Sequence, residues 1–407
     1  METQLLAHLI EIRRLIHTNP ELGYQEFQTS KLIMDELSKL SIPFETNIAD
    51  TGTGIIATLT KGQGNAILLR ADMDALPINE ETELSFKSKV PNKMHACGHD
   101  LHTTMLLGAA HLLKEKDFPG TIKFLFQPSE EGNRNDPLAK RGEIKKSGGE
   151  RISESDLLKE LIAAIGLHVH PLLLVGKMAF CLGDALACTA FFDIEIIGVE
   201  GHAAFPEKAI DPIYIGSQFI LAAQGIISRY TAPNGSKVIS FTNIKTGIKD
   251  ELSNVANPIS AENVIPRSLT LSGTIRALDI DVYKNIKDKL QNISDGFKLS
   301  FGADIKIEYT LDYPSLLNDK KIHLKLKPTL DSVFEPENIL EVKPLLGGED
   351  FAFYSRKIPS MFYFLGANFE GRKEFLHDSR VVFNENCIPL GAEFLANAGV
   401  QLLNDLQ

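Results

Sequence analysis

The stretch "NAILLRADMDALP", residues 65–77, decides how the fold is read. Ile67, Leu68 and Leu69 form a short, unbroken apolar run, the pattern of a strand covered on both faces, and the run empties into a polar turn that carries Asp72 and Asp74. The same pattern recurs downstream. "HTTMLLGAAHLLKEK" (102–116) reads as a helix, "GTIKFLFQPSEEG" (120–132) as a strand and loop, and "LIAAIGLHVHP" (161–171) as another buried strand. Upstream, residues 3–17 and "QTSKLIMDELSKLSI" have helical spacing, the second with Thr29 or Ser30 as its cap. Strands alternating with helices predict an α/β layer with a mostly parallel central sheet. The polar clusters around residues 72, 97 and 130 then fall at the sheet edge where such folds bind ligands.

From about residue 186 the order becomes strand (187–201), helix (211–230), two strands (236–247, 267–278), helix (281–302) and strand (303–314). That β-α-β-β-α-β order is the ferredoxin-like arrangement. After about residue 315 helix and strand return, and the apolar "PSMFYFLGA" most simply rejoins the first sheet. The expectation is a discontinuous large domain, 1–185 with 316–407, interrupted by a small domain, 186–315. The segment 132–156 is polar, lacks aromatic residues and predicts a mobile loop.

Composition bounds the function. A chain of 407 residues, 43% hydrophobic and 23% charged, is long enough for two domains and ordinary for a globular protein. A formal net charge of -11 works against nucleic acid and anionic lipid as partners. Four scattered cysteines make no disulfide scaffold and favour a reducing compartment. The first residues lack the apolar core of a signal peptide, and no uncharged span has membrane length, so a cytoplasmic location and no membrane partner are expected.

Cys97 and His99 in "MHACGHD" (94–100) offer a thiolate and an imidazole just before a helix, a pair that suits borderline metals such as zinc. A buried free cysteine beside a surface histidine reads equally well there. "PSEEG" supplies Glu130 and Glu131, one able to bind metal while the other handles protons, or simply a solvated pair. "GLHVHP" places His168 and His170 on one face of a strand, and "EFLHDS" adds His377.

Taken in order, "RRLIHTNPELGYQE", "RADMDALP", "MHACGHD", "QPSEEG", "GLHVHP", "GHAAFPEKAIDP", "NVIP", "GTIRA", "GGEDF" and "FLHDS" resemble the M20 metallopeptidase superfamily over nearly the whole chain, in the branch of N-acyl-amino-acid amidohydrolases. The resemblance implies two divalent ions, zinc or manganese with nickel or cobalt as further options. It implies Cys97, His99, Glu131, His168 and His377 as their ligands, Cys97 bridging, and Glu130 as general base. Asp74 and Asp72 would orient the ligating imidazoles. It further implies that His202, in the small lid and dimerisation domain, supports the tetrahedral intermediate from the partner subunit of a homodimer. Asn263 and Arg276 match substrate-binding positions, although Arg276 reads equally as a strand residue with a salt-bridge partner. Hydrolysis of an N-acyl amino acid is the activity implied, with a dipeptidase or carboxypeptidase as the alternative. Two departures from the family pattern, the polar loop 132–156 and Glu207 where a histidine is usual, leave the acyl pocket open.

Overall fold

A computed structural model describes residues 1–132, 146–247 and 261–406. The chain divides into two compact units, one formed by Met1–Ala185, Leu316–Lys343 and Glu349–Gln407, the other by Leu186–Ser315 with Pro344–Gly348. The segment 344–348 thus groups with the second unit, where the sequence pattern assigned it to the first.

In chain order the strands of the two larger sheets are β1 (Phe44–Thr46), β2 (Ile55–Thr60), β3 (Ala66–Asp72), β4 (Thr121–Gln127), β5 (Leu161–Leu174), β6 (Met178–Phe180), β7 (Cys188–Ile197), β8 (Lys237–Thr246), β9 (Ser268–Ala277), β10 (Asp304–Tyr313), β11 (Ile339–Glu341) and β12 (Ser360–Asn368). The first unit is built on an eight-stranded sheet ordered β1-β2-β4-β3-β5-β12-β6-β11. Its centre, β4-β3-β5-β12, is parallel throughout. The fold class is therefore α/β with a mostly parallel central sheet, as expected, and the run that contains "PSMFYFLGA" does rejoin that sheet as β12, beside β5. Ile67, Leu68 and Leu69 of β3 are fully buried, each stabilising the fold by about 1.5–3 kcal/mol. Arg70, in the same strand, is also buried, so its charge has to be met inside the protein.

Three helices of this unit bear on the site: α1 (Thr3–Thr18), α2 (Phe27–Lys39) and α3 (His99–Lys114). The start of α2 differs from the sequence expectation. Thr29 and Ser30 lie inside the helix, because the Glu21 carboxylate reaches in from outside and accepts the N–H groups of Gln28 and Thr29 at 2.9–3.0 Å. The 132–156 expectation is corrected in part. Residues 133–145 lie outside the described residues, but α4 (Gly148–Glu154) is a packed helix whose Ser147 cap accepts the Glu150 N–H. A Cβ on Gly148 would sit 1.8 Å from the Pro128 carbonyl oxygen, so only glycine allows that approach.

The second unit has a four-stranded antiparallel sheet ordered β8-β9-β7-β10, with α5 (Pro212–Gly225) and α6 (Ile280–Phe301) between strands as β-α-β-β-α-β. Asp211 and Asp279 cap these helices through backbone N–H groups of their first turns, and Gly302 at φ 71° ends α6. No helix among the described residues is long and apolar enough to cross a membrane.

Candidate metal centre

Gly98 holds φ at 91°, a left-handed conformation that side chains resist, and a Cβ there would lie 2.3 Å from Val169 Cγ2. This turn lets Cys97 approach on irregular backbone while His99 opens α3, both buried. From β5, His168 donates its Nδ1–H to the Val169 carbonyl at 2.7 Å. Its Nε2 therefore carries a lone pair, 3.4 Å from Cys97 Sγ. After β4, Ser129 at φ 54° turns the chain and presents Glu130 and Glu131. Three bonds fix that turn: Ser129 N–H to Glu26 at 2.9 Å, and the N–H groups of Glu130 and Glu131 to the two oxygens of Asp74 at 3.0 Å each. His377, itself at φ 69°, donates its N–H to the Ala96 carbonyl, and its Nε2 lies 3.0 Å from Glu131 Oε1.

Asp74 also accepts from His99 Nδ1 at 3.2 Å, whereas the nearest Asp72 oxygen is 3.9 Å away. Asp72 instead accepts from His102 Nδ1 at 2.6 Å, and His102 Nε2 accepts the Val169 N–H at 2.8 Å. Asp72 thus orients His168 indirectly, through His102 and the backbone of β5. Arg70 donates to Asp72 and Asp350 at 2.6 Å each and to Gln127 at 2.9 Å, and pairs with Glu349 at 3.0 Å. Arg70, His102, Glu26, Glu349 and Asp350 carry no role in the sequence reading. A lone arginine in an apolar strand, and a histidine three residues after His99, were the available signals.

The electrostatics of the cluster are those of a site short of positive charge. Burial and the neighbouring Glu349 and Glu131 push Glu130 well above the usual carboxylate range, and burial with Asp72 and Asp350 takes Glu349 to about 8 against the pull of Arg70. Burial and both glutamates likewise push the Cys97 thiol up. Burial disfavours a charged His99, but Asp72 and Asp74 prevail and raise it to about 10, as carboxylates do for a ligating imidazole.

A divalent cation fits these residues. His99 Nε2 is buried and has no hydrogen-bond partner among the described residues, an expensive state for a ring nitrogen unless something else binds it. Donor atoms of Cys97, His99 and His168 lie within 4.8 Å of one another, and so do those of Cys97, Glu131 and His377, two trios that share the thiol. All five proposed ligands are therefore brought together, with Glu130 beside them in a further trio with His99 and Glu131.

The remaining predicted residues belong to the second unit. His202 is exposed on a two-residue ribbon with Val264, and its Nδ1 accepts the Ala204 N–H at 3.1 Å, so the neutral ring carries its hydrogen on Nε2. Asn263 is exposed beside it, accepting the Ala203 N–H through its backbone carbonyl. Arg276 donates to the Leu346 carbonyl at 3.0 Å and lies over the Phe191 ring, and no carboxylate among the described residues pairs with it.

A thiol, three imidazoles and a carboxylate gather at the C-terminal edge of a parallel sheet, Cys97, His99 and His168 buried and Glu131 and His377 nearer the surface, with Glu130 beside them; such a donor set defines a metal-dependent hydrolase. The chain belongs to the peptidase family M20/M25/M40, whose sequence model matches residues 68–399. It is 36% identical over 407 residues to the IAA-amino acid hydrolase ILR1-like 4 of Arabidopsis thaliana, covering 98% of this chain and 86% of that protein. Against the N-acetylcysteine deacetylase of Bacillus subtilis the identity is 32%, with 98% of each covered. Among solved structures, the Bacillus subtilis YXEP protein, a dinuclear metal-binding peptidase from the M20 family, superposes with a TM-score of 0.79 at 29% identity, over 99% of both chains.

Proposed function

We propose that the protein hydrolyses the amide bond of N-acyl amino acids, releasing a carboxylate and a free amino acid. The buried His99 Nε2, without a hydrogen-bond partner among the described residues and set in one of two donor trios that share Cys97, carries this reading. Relatives that act on IAA-amino acids and N-acetylcysteine support the substrate class.

Cys97, His99, Glu131, His168 and His377 would hold two divalent ions, zinc or manganese with nickel or cobalt as options, to polarise the amide carbonyl and acidify a water. The soft thiolate and three imidazoles favour zinc and the carboxylate keeps manganese possible. Glu130 takes the proton from the attacking water. It then gives that proton to the amine nitrogen as the C–N bond breaks, a double role that suits a carboxyl whose pKa is raised by burial. His202 of the partner subunit, donating through Nε2–H, steadies the negative oxygen of the tetrahedral intermediate. Asn263 binds polar groups of the substrate, and Arg276, paired with no carboxylate among the described residues, takes the substrate's free carboxylate. Exposed Ile213, Tyr214 and Leu221 on α5 support a homodimer formed through the second unit. Four free cysteines support a reducing, cytoplasmic location.

Glu130→Gln tests the reading. The variant keeps a hydrogen-bonding group of the same size but cannot shuttle a proton, so turnover of N-acetyl amino acids should drop about 10²–10⁴-fold with metal content unchanged. Near wild-type turnover in a metal-replete sample would remove Glu130 from this role. Faster release from unblocked dipeptides than from N-acyl amino acids would favour the peptidase alternative.

A further inference from the structure

Far from the centre just described, α1, α2 and α3 bring His8, Glu36 and His111 together. His111 lies twelve residues beyond His99 on α3, about 18 Å along the helix axis. His8 Nε2 is 2.8 Å from Glu36 Oε2, and His111 Nε2 is 3.9 Å from the same oxygen. The three donor atoms lie within 4.8 Å of one another. The His111 Nε2 atom is buried and has no partner within hydrogen-bond distance among the described residues, the same sign of a missing partner that marks His99.

We propose that His8, Glu36 and His111 form a further metal site, for a divalent ion of the zinc class. Two imidazoles and one carboxylate favour zinc, cobalt, nickel or copper over magnesium and calcium, which prefer oxygen alone. Three protein ligands leave the fourth tetrahedral position to water, and the partial exposure of His8 (38%) and His111 (21%) gives water access. Ligand bonds of about 2.0–2.2 Å require the donors to draw closer, which rotation of the half-exposed His8 ring allows. To ligate through Nε2 that ring takes the Nδ1–H tautomer, so the hydrogen now facing Glu36 moves to the other nitrogen. Lys39 pairs at 2.6 Å with the opposite oxygen of Glu36, Oε1, and leaves Oε2 for the ion. An ion here ties together three helices separated in sequence and stabilises the folded state by binding it preferentially.

The test counts ions. Metal-replete wild type, His8→Gln, His111→Gln and the double variant are equilibrated with zinc at fixed free concentration, freed of excess by gel filtration and analysed for metal per chain. Wild type should hold one ion more than the double variant, each single variant should bind that ion at least about tenfold more weakly, and magnesium should not replace it. Zinc should also raise the thermal midpoint of wild type more than that of the double variant. Equal ion counts, or equal zinc-induced shifts, would overturn the site. Should His111→Gln fold poorly by circular dichroism, His8→Gln, at the more exposed position, decides alone. Hydrolysis is not the readout, so failure here leaves the proposed activity standing.

Discussion

At the scale of single residues, Asp74 holds together groups that the chain supplies from two distant segments. Its two oxygens accept the N–H groups of Glu130 and Glu131, and one also accepts from His99 Nδ1. Asp74→Asn puts an NH₂ group where an acceptor is needed, so at least one of these donors loses its partner in a buried place. The glutamate turn should loosen and His99 should lose its orienting carboxylate. The expected outcome is metal affinity lower by about 10–100-fold and a matching loss of activity that excess metal partly restores, read by competition with a chromophoric chelator. Unchanged affinity would make Asp74 a packing residue only. The sequence reading had both aspartates beside ligating imidazoles, and the structure puts Asp74 against His99 but Asp72 against His102. His102 was legible in principle, since residues three apart on a helix share a face. Arg70 signalled itself as a charge within an apolar run, yet its partners Glu349 and Asp350 lie some 280 positions on, and only the assembled sheet brings them within reach.

At the scale of elements, α1 is pinned to α3 by charge as much as by packing. Arg13 and His17 both pair with Asp100 at 2.8 Å, and His17 also meets Glu80 at 3.3 Å. Burial and Arg13 disfavour a charged His17, but Asp100 and Glu80 outweigh them and its pKa is raised. A histidine raised in the folded state stabilises the fold fully below its unfolded value of about 6.5, and that contribution is lost as pH rises through the folded value. His17→Gln should therefore be destabilised relative to wild type in acid, with the gap narrowing above about pH 6.5. Urea midpoints of both proteins between acid and mildly alkaline pH would show it, and a constant gap would mean that His17 acts while neutral. The alternation of buried strands and helices was readable because each parallel strand is apolar on both faces. Helix starts were less so: α2 is begun by Glu21, outside its own sequence, and α4 is glycine-led and polar, so its place is set by contacts with Pro128 and Asp350 that no local pattern records.

At the scale of the whole molecule, the chain leaves its first unit near residue 186 and returns near 316, and over the same stretch the sequence pattern changes from parallel-type to β-α-β-β-α-β order. The residues 344–348 were not separable from their neighbours by pattern, since they are a short irregular segment whose backbone meets Ala187 and Arg276 of the second unit. The composite site is the proposal that most depends on assembly. Glu130→Gln and His202→Ala would remove different parts of each site if the histidine comes from the partner subunit. In a mixed dimer one site then carries both lesions, while the other draws its glutamate from the His202→Ala chain and its histidine from the Glu130→Gln chain and is intact. Random pairing makes half the dimers mixed, each with one good site in two, so co-expression should restore about a quarter of wild-type activity under twofold symmetry. If His202 serves its own chain, or the protein acts as a monomer, no combination yields an intact site. Co-expressed variants no more active than the sum of the two alone would therefore place the histidine in cis, and rescue near a quarter would require both the dimer and the exchange.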